Sequence, residues 1–149
     1  VEGREVIDVH VVDVVDDELL GEINHLLPQL SSSARSLTIE HVRAMVESDA
    51  ITLFAARHQG KMIGMLTLVI FPIPTGIRAW IEDVVVDNDA RGLGAGSLLT
   101  TTALEYAKQW GAVTVDLTSR PSREAANALY RRVGFAQRET NVYRFLVEP

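Results

Sequence analysis

Residues Arg91-Gly92-Leu93-Gly94-Ala95-Gly96 constrain this chain more than any other stretch. They follow an apolar run, Trp80-Ile81-Glu82-Asp83-Val84-Val85-Val86-Asp87, that reads as a strand, and they lead into a helical pattern that opens near Ser97. Glycines at alternate positions leave backbone N–H groups bare, so a ligand can approach the main chain closely. At a helix N-terminus those N–H groups add to the positive end of the helix dipole, and the loop becomes an anion site suited to a phosphate or pyrophosphate. A strand, a glycine loop and a helix in this order require an α/β or α+β fold.

Several kinds of glycine loop fit that description. A dinucleotide-binding fold places its glycines after the first strand of a βαβ unit, with an acidic residue about 20 positions later. Here the preceding strand reads as the fourth, and the surrounding pattern is not βαβαβ. A P-loop needs Lys followed by Ser or Thr after its last glycine, whereas Gly96-Ser97-Leu98 has no lysine. A flexible connector without a ligand is the remaining alternative.

The rest of the chain reads as follows. Residues 4–15 alternate and are rich in Val and Ile, a first strand. Leu19, Leu20, Ile23, Leu26 and Leu27 recur at helical spacing over residues 16–30, with Asp16 or Asp17 as cap and Pro28 disturbing the last turn. Ser31-Ser32-Ser33 is a linker. Thr38 opens a second helix with Val42, Met45 and Val46 on one face. Residues 51–57 and 61–71 form a hairpin about Gln59-Gly60. Residues 71–76 are a turn-rich loop before the strand that ends at Val86. A helix over 97–110 closes at Gly111, a strand covers 112–117, and a helix over 122–133 is capped by Ser122 and ended by Gly134. Residues 135–137 and 141–147 are predicted as closing strands. The chain of 149 residues is expected to make one domain over 1–149, and 47% apolar and 23% charged residues are the mix of a globular protein.

Composition narrows the function. A formal charge of −6 speaks against a nucleic-acid partner, which requires a basic face. With no cysteine there is no disulfide, thiolate metal site or Cys nucleophile. His10, His25, His41 and His58 are scattered without metal-ligand spacing, so no metal is expected. No apolar stretch reaches membrane-spanning length, and no basic-then-apolar signal opens the chain, so a cytoplasmic protein without a membrane partner is expected. Trp80 and Trp110 read as packing residues.

A second motif lies downstream, Asn127-Ala128-Leu129-Tyr130-Arg131-Arg132-Val133-Gly134-Phe135. With the glycine loop it resembles the GNAT superfamily of acetyl-CoA-dependent N-acetyltransferases. The family's loop, Arg/Gln-x-x-Gly-x-Gly/Ala, is met by Arg91, Gly94 and Gly96. Its Leu-Tyr-x-x-x-Gly-Phe element is met by Leu129, Tyr130, Gly134 and Phe135. The resemblance implies a mixed α/β (α+β) fold with a central, mostly antiparallel sheet of six to seven strands and about four helices, splayed after the fourth strand.

It also implies the chemistry. Acetyl-CoA would be the donor and a primary amine the acceptor, with no metal. Backbone N–H groups over Arg91, Gly92, Leu93, Gly94, Ala95, Gly96 and Ser97 would cradle the pyrophosphate, and Val84, Val85 and Val86 would pair with the pantetheine arm. The Val85 N–H is the expected oxyanion donor. Tyr130 matches the general acid that protonates the departing thiolate. Glu82 is the favoured base and Asp83 the alternative; adjacent on a strand, their side chains are expected to point to opposite faces. The family often carries Asn two helical turns before the Tyr, where this chain has Arg123; Asn127, one turn later, is the substitute contact to the cofactor. A small-molecule amine is preferred over a protein lysine or N-terminus as acceptor, and a non-catalytic acyl-CoA-binding module is the alternative from another class. Related enzymes often form homodimers, for which the strand predicted at 141–147 would offer an edge.

Overall fold

The structure is a computed structural model that describes residues 6–148. Those residues form two compact units, one running up to Thr118 and one from Ser119 onward. The first unit holds a sheet of five strands in sequential order, β1 (Ile7–Val11), β2 (Ile51–His58), β3 (Lys61–Ile73), β4 (Gly76–Val86) and β5 (Thr114–Asp116). The first three pairings are antiparallel and β4–β5 is parallel.

Two helices precede β2. In α1 (Asp17–Leu30) the Asp16 carboxylate accepts from the Leu19 N–H at 2.8 Å, and in α2 (Ile39–Glu47) the Thr38 hydroxyl accepts from His41 N–H at 3.2 Å. Both are N-caps that satisfy an otherwise orphaned donor. Leu19, Ile23 and Leu26 of α1 and Val42 of α2 are buried against Leu53, Ala55, Met65 and Val85 of the sheet. Each such side chain contributes about 1.5–3 kcal/mol on leaving water. The opposite face carries α3 (Ala95–Gln109), whose Leu99, Ala103 and Ala107 are fully buried. A Cβ on Gly64 would stand 3.1 Å from both Leu99 Cδ1 and the Val85 carbonyl oxygen, so glycine here lets α3 approach the sheet.

The sequence reading holds for the α+β fold, the hairpin and the helices, and is corrected at several boundaries. The first strand occupies Ile7–Val11, because the chain turns away toward the Asp16 cap after Val12 N–H bonds the Leu53 carbonyl; residues 4 and 5 of the predicted span lie outside the described residues. The predicted loop at 71–76 is mostly ladder, with Phe71, Pro72 and Ile73 opposite Arg78, Ile77 and Gly76. Pro72 is tolerated because Ile70, two residues earlier, sends its N–H to Ala50, just before β2. The same edge at Pro72 lies past the end of that strand, where no donor is required. The strand predicted at 112–117 shortens to β5.

The second unit contains α4 (Glu124–Val133). Its N-cap is Arg123 rather than Ser122, and the Asn127 side chain donates to the Arg120 carbonyl at 2.9 Å across that entry turn. Residues 135–137 and 141–147 form no strand among the described residues, so the sheet has five strands rather than six to seven. Val142, Tyr143, Phe145, Leu146 and Val147 are exposed, and β-prone residues without a neighbouring ladder do not make a strand.

Candidate active site

The site begins where β5 leaves β4. The parallel pairing covers Arg78, Ala79 and Trp80 of β4, opposite Thr114, Val115 and Asp116. From Ile81 onward that edge of β4 has no strand partner among the described residues. The sheet therefore opens at the fourth strand, as the resemblance implied.

A bulge reshapes this open stretch. Glu82 stands opposite Thr67 and Val85 opposite Met65, so Asp83 and Val84 together face Leu66. Asp83 has φ 50°, a left-handed conformation that is strained for a residue with a side chain. The extra residue reverses which face each position presents. Ile81, opposite Leu68, lies on the α3 face, whereas Val85 packs with Met65 and the α1 residues. Simple alternation of Glu82 and Asp83 thus does not apply, and both side chains are exposed. The Trp80 indole N–H donates to Glu82 Oε1 at 2.7 Å and fixes that carboxylate along the strand.

Beyond the bulge, Asp87 N–H bonds the Ile63 carbonyl at 2.7 Å. Antiparallel alternation then turns the main chain of Val85 toward Met65 and that of Val84 and Val86 toward the open edge. The main chain of Val85, expected to contact the cofactor and to donate to the oxyanion, therefore faces Met65 and not the open edge, and its side chain is buried in the α1-side core.

A 3-10 turn (Asn88–Ala90) joins β4 to the glycine loop. Gly92 and Gly94 both adopt φ 86°, with open space where a Cβ would sit. Gly94 is the N-cap of α3, and the helix opens at Ala95, two residues before the sequence reading placed it. No side chain caps this end, and Leu98 N–H is the donor that returns to the Gly94 carbonyl. The N–H groups of Ala95, Gly96 and Ser97 are thus the first-turn donors of an uncapped helix, the arrangement that binds anions. Arg91, Gly92 and Leu93 are exposed beside them.

In the second unit the Tyr130 motif has a structural explanation. Gly134 N–H bonds the Arg131 carbonyl and Phe135 N–H bonds the Tyr130 carbonyl at 2.9 Å, which makes a Schellman cap with Gly134 at φ 122°. The Tyr130 and Phe135 rings meet edge to face with centroids 5.7 Å apart, the apolar contact that accompanies such a cap. Burial pushes the Tyr130 phenol above its ordinary pKa of 10.0, against a smaller opposing effect of Arg123.

Sequence reasoning missed two features. One is the Trp80–Glu82 bond. The other is Asp87, a buried carboxylate held by His25 and Gln29 of α1. An acid closing an apolar run was its only signal. A pocket of about 400 Å³ bordered by His10, Asp13, Asp16, Glu18 and Arg57 contains none of the expected site residues. Beside it Arg57 clasps Glu22 through two bonds of 2.7 and 2.8 Å, which hold the Glu22 carboxyl below the ordinary range.

The model of the Acetyltransferase (GNAT) family matches residues 19–135. The chain belongs to this family. It is 32% identical over 98 residues to an uncharacterized N-acetyltransferase of Methanocaldococcus jannaschii, a match covering 64% of this chain and 43% of that protein. It is 31% identical over 125 residues to the glucosamine 6-phosphate N-acetyltransferase of Trypanosoma brucei brucei, covering 82% of this chain and 81% of that one. A solved structure of a transcriptional regulator from Bacillus halodurans C-125 superposes with a TM-score of 0.81 at 25% identity, over 95% of this chain and all of that one. The chain spans under half the length of the Methanocaldococcus relative. No described helix of this GNAT protein is long and apolar enough to cross a membrane.

Proposed function

We propose that this GNAT protein transfers acetyl from acetyl-CoA to a primary amine of a small molecule by direct attack. The observation that carries the reading is the continuity of the open β4 edge with an uncapped helix N-terminus behind two left-handed glycines. The main chain of Val84 and Val86 would pair with the pantetheine amides. The N–H groups from Gly92 to Ser97 would hold the pyrophosphate, with Arg91 beside them. Asn127 would add a contact from α4. The family match, over residues 19–135, takes in part of each compact unit, which supports reading the chain as one domain.

Glu82 would act as base, directly or through water, and take a proton from the acceptor ammonium so that the neutral amine can attack, with Asp83 as the alternative. The indole of Trp80 favours Glu82, because it holds that carboxylate in one position. An open-edge N–H would stabilise the oxyanion as the C–N bond forms. Tyr130 would then give its phenolic proton to the thiolate as the C–S bond breaks, and the second proton leaving the acylated nitrogen would restore the phenol. A phenol with an ordinary pKa of 10.0 carries its proton at neutral pH, as a donor must. A small-molecule acceptor is supported by the sugar-phosphate enzyme of Trypanosoma, matched over 81% of its length. The structural likeness to a protein described as a transcriptional regulator supports, as second reading, a regulatory module, which on this fold would bind acyl-CoA without turnover.

Titration calorimetry with acetyl-CoA tests the donor assignment. Saturable binding is expected, with about 2.7 kcal/mol of stabilisation at a hundredfold excess over Kd. An absence of both binding and stabilisation refutes it.

A further inference from the structure

Gln29 lies on the last turn of α1 and is half-buried. Its side chain reaches the segment that leaves β4 and makes two contacts there. The Oε1 atom accepts from Asn88 N–H at 2.8 Å, and the Nε2–H donates to Asp87 Oδ1 at 3.4 Å. A backbone N–H on one side and a carboxylate on the other fix the amide's orientation, because an acceptor must face the first and a donor the second.

Asp87 is itself deeply placed, at 2% exposure. Its Oδ1 also accepts from Asp89 N–H at 3.1 Å, and its Oδ2 lies 3.2 Å from His25 Nε2. Ala90 N–H closes the 3-10 turn onto the Asp87 carbonyl at 2.9 Å. The turn is thereby locked on three sides, and Arg91 and Gly92 leave it directly. Past that point residues 91–94 are exposed and turn through two left-handed glycines to the buried Ala95 that opens α3, so this turn fixes one of the loop's two roots.

We propose that Gln29 is a positioning residue for the donor: by gripping Asp87 and Asn88 it sets how the Arg91–Gly94 loop presents its N–H groups at the start of α3, and it ties α1 to that loop. The proposal rests on the reading that the loop holds the pyrophosphate of acetyl-CoA. Leucine at position 29 would keep the bulk and lose both contacts. Glutamate would keep the acceptor for Asn88 but set a like charge against Asp87.

The test uses the full chain with Gln29→Leu and Gln29→Glu. Amide resonances of Gly92, Gly94 and Gly96 are read by NMR, and the Kd for acetyl-CoA and for pantetheine, which lacks the pyrophosphate, by calorimetry. Both variants are expected to move the glycine amides while those of β1 and β2 hold. Acetyl-CoA should weaken about five- to tenfold, and pantetheine binding should not change. Unmoved glycine amides overturn the proposal, as does a lower Tm with unchanged acetyl-CoA affinity, which is the behaviour of a simple brace. A wild-type protein that binds no acetyl-CoA refutes the donor reading instead, and the glycine amides still decide whether Gln29 positions the loop.

Discussion

Replacing Asp87 with alanine removes the anchor between α1 and the root of the glycine loop, and the structure sets the size of the effect. The carboxylate accepts from the Asp89 N–H and the Gln29 amide on one oxygen and meets His25 on the other. The His25 side chain is 58% exposed and finds water readily, so its loss is cheap. The Asp89 N–H and the Gln29 amide lose a charged acceptor inside a nearly closed site. Hydrogen bonds to charged groups contribute about 1.5–3 kcal/mol each, less where water can substitute, so Asp87→Ala should cost roughly 2–4 kcal/mol. In a protein of this size that lowers Tm by about 5–15 °C. Asp87→Asn keeps an acceptor oxygen and should cost about 1 kcal/mol.

Acid supplies a second reading of the same group. The Asp89 N–H, ahead of the bonds from Gln29 and His25, holds the Asp87 carboxyl below its ordinary value of 3.8, and burial opposes this. A carboxyl depressed in the folded state stabilises fully above its unfolded pKa and loses that contribution as pH falls through the folded value. The stability gap between wild type and Asp87→Asn should therefore be constant near neutrality and shrink below about pH 4. Urea denaturation at a series of pH values measures both effects. Asp87→Ala costing under about 1 kcal/mol, or a gap that widens in acid, would refute the reasoning.

Other expectations follow from single contacts. Gly64→Ala should cost about 1–3 kcal/mol in urea denaturation, since the added methyl meets the Val85 carbonyl and Leu99 at 3.1 Å. Gly94→Ala meets no neighbour, so its cost of about 1–2 kcal/mol should come from φ alone and be accompanied by weaker acetyl-CoA binding in calorimetry. Tyr130→Phe should lower kcat by about 10²-fold with acetyl-CoA KM little changed, and full activity would remove the acid role. Glu82→Gln should lower kcat by about 10²–10⁴-fold, with Trp80→Phe lowering it less, whereas Asp83→Asn should have the smaller effect if Glu82 is the base.

Local patterns made much of the fold legible. The Asp16 and Thr38 caps, the hairpin at Gln59-Gly60 and the helix end at Gly134 each follow from a residue type at a fixed offset. The Tyr130 signature was legible for a further reason: Gly134 and Phe135 serve a Schellman cap as well as a resemblance. What stayed hidden depended on register. Nothing in Glu82-Asp83-Val84 announces that Asp83 adopts a positive φ and that the strand changes faces there. Pro72 read as a loop residue because its tolerance depends on where β2 begins, about 20 positions earlier. The alternating apolar residues of 141–147 suggested a strand, but alternation does not supply a partner. Asp87 and Gln29 are far apart in sequence, and only the packed α1 brings them together.

The central claim is catalysis of acetyl transfer to an amine, and thiol release from acetyl-CoA across a panel of small primary amines tests it most directly. The chain has no cysteine, so every thiol that appears comes from CoA. Amino sugars and small aliphatic amines are expected to include at least one acceptor that drives saturable release, lost in both Glu82→Gln and Tyr130→Phe. Tight acetyl-CoA binding with no release above buffer for any amine would contradict the account and establish a binding module in its place.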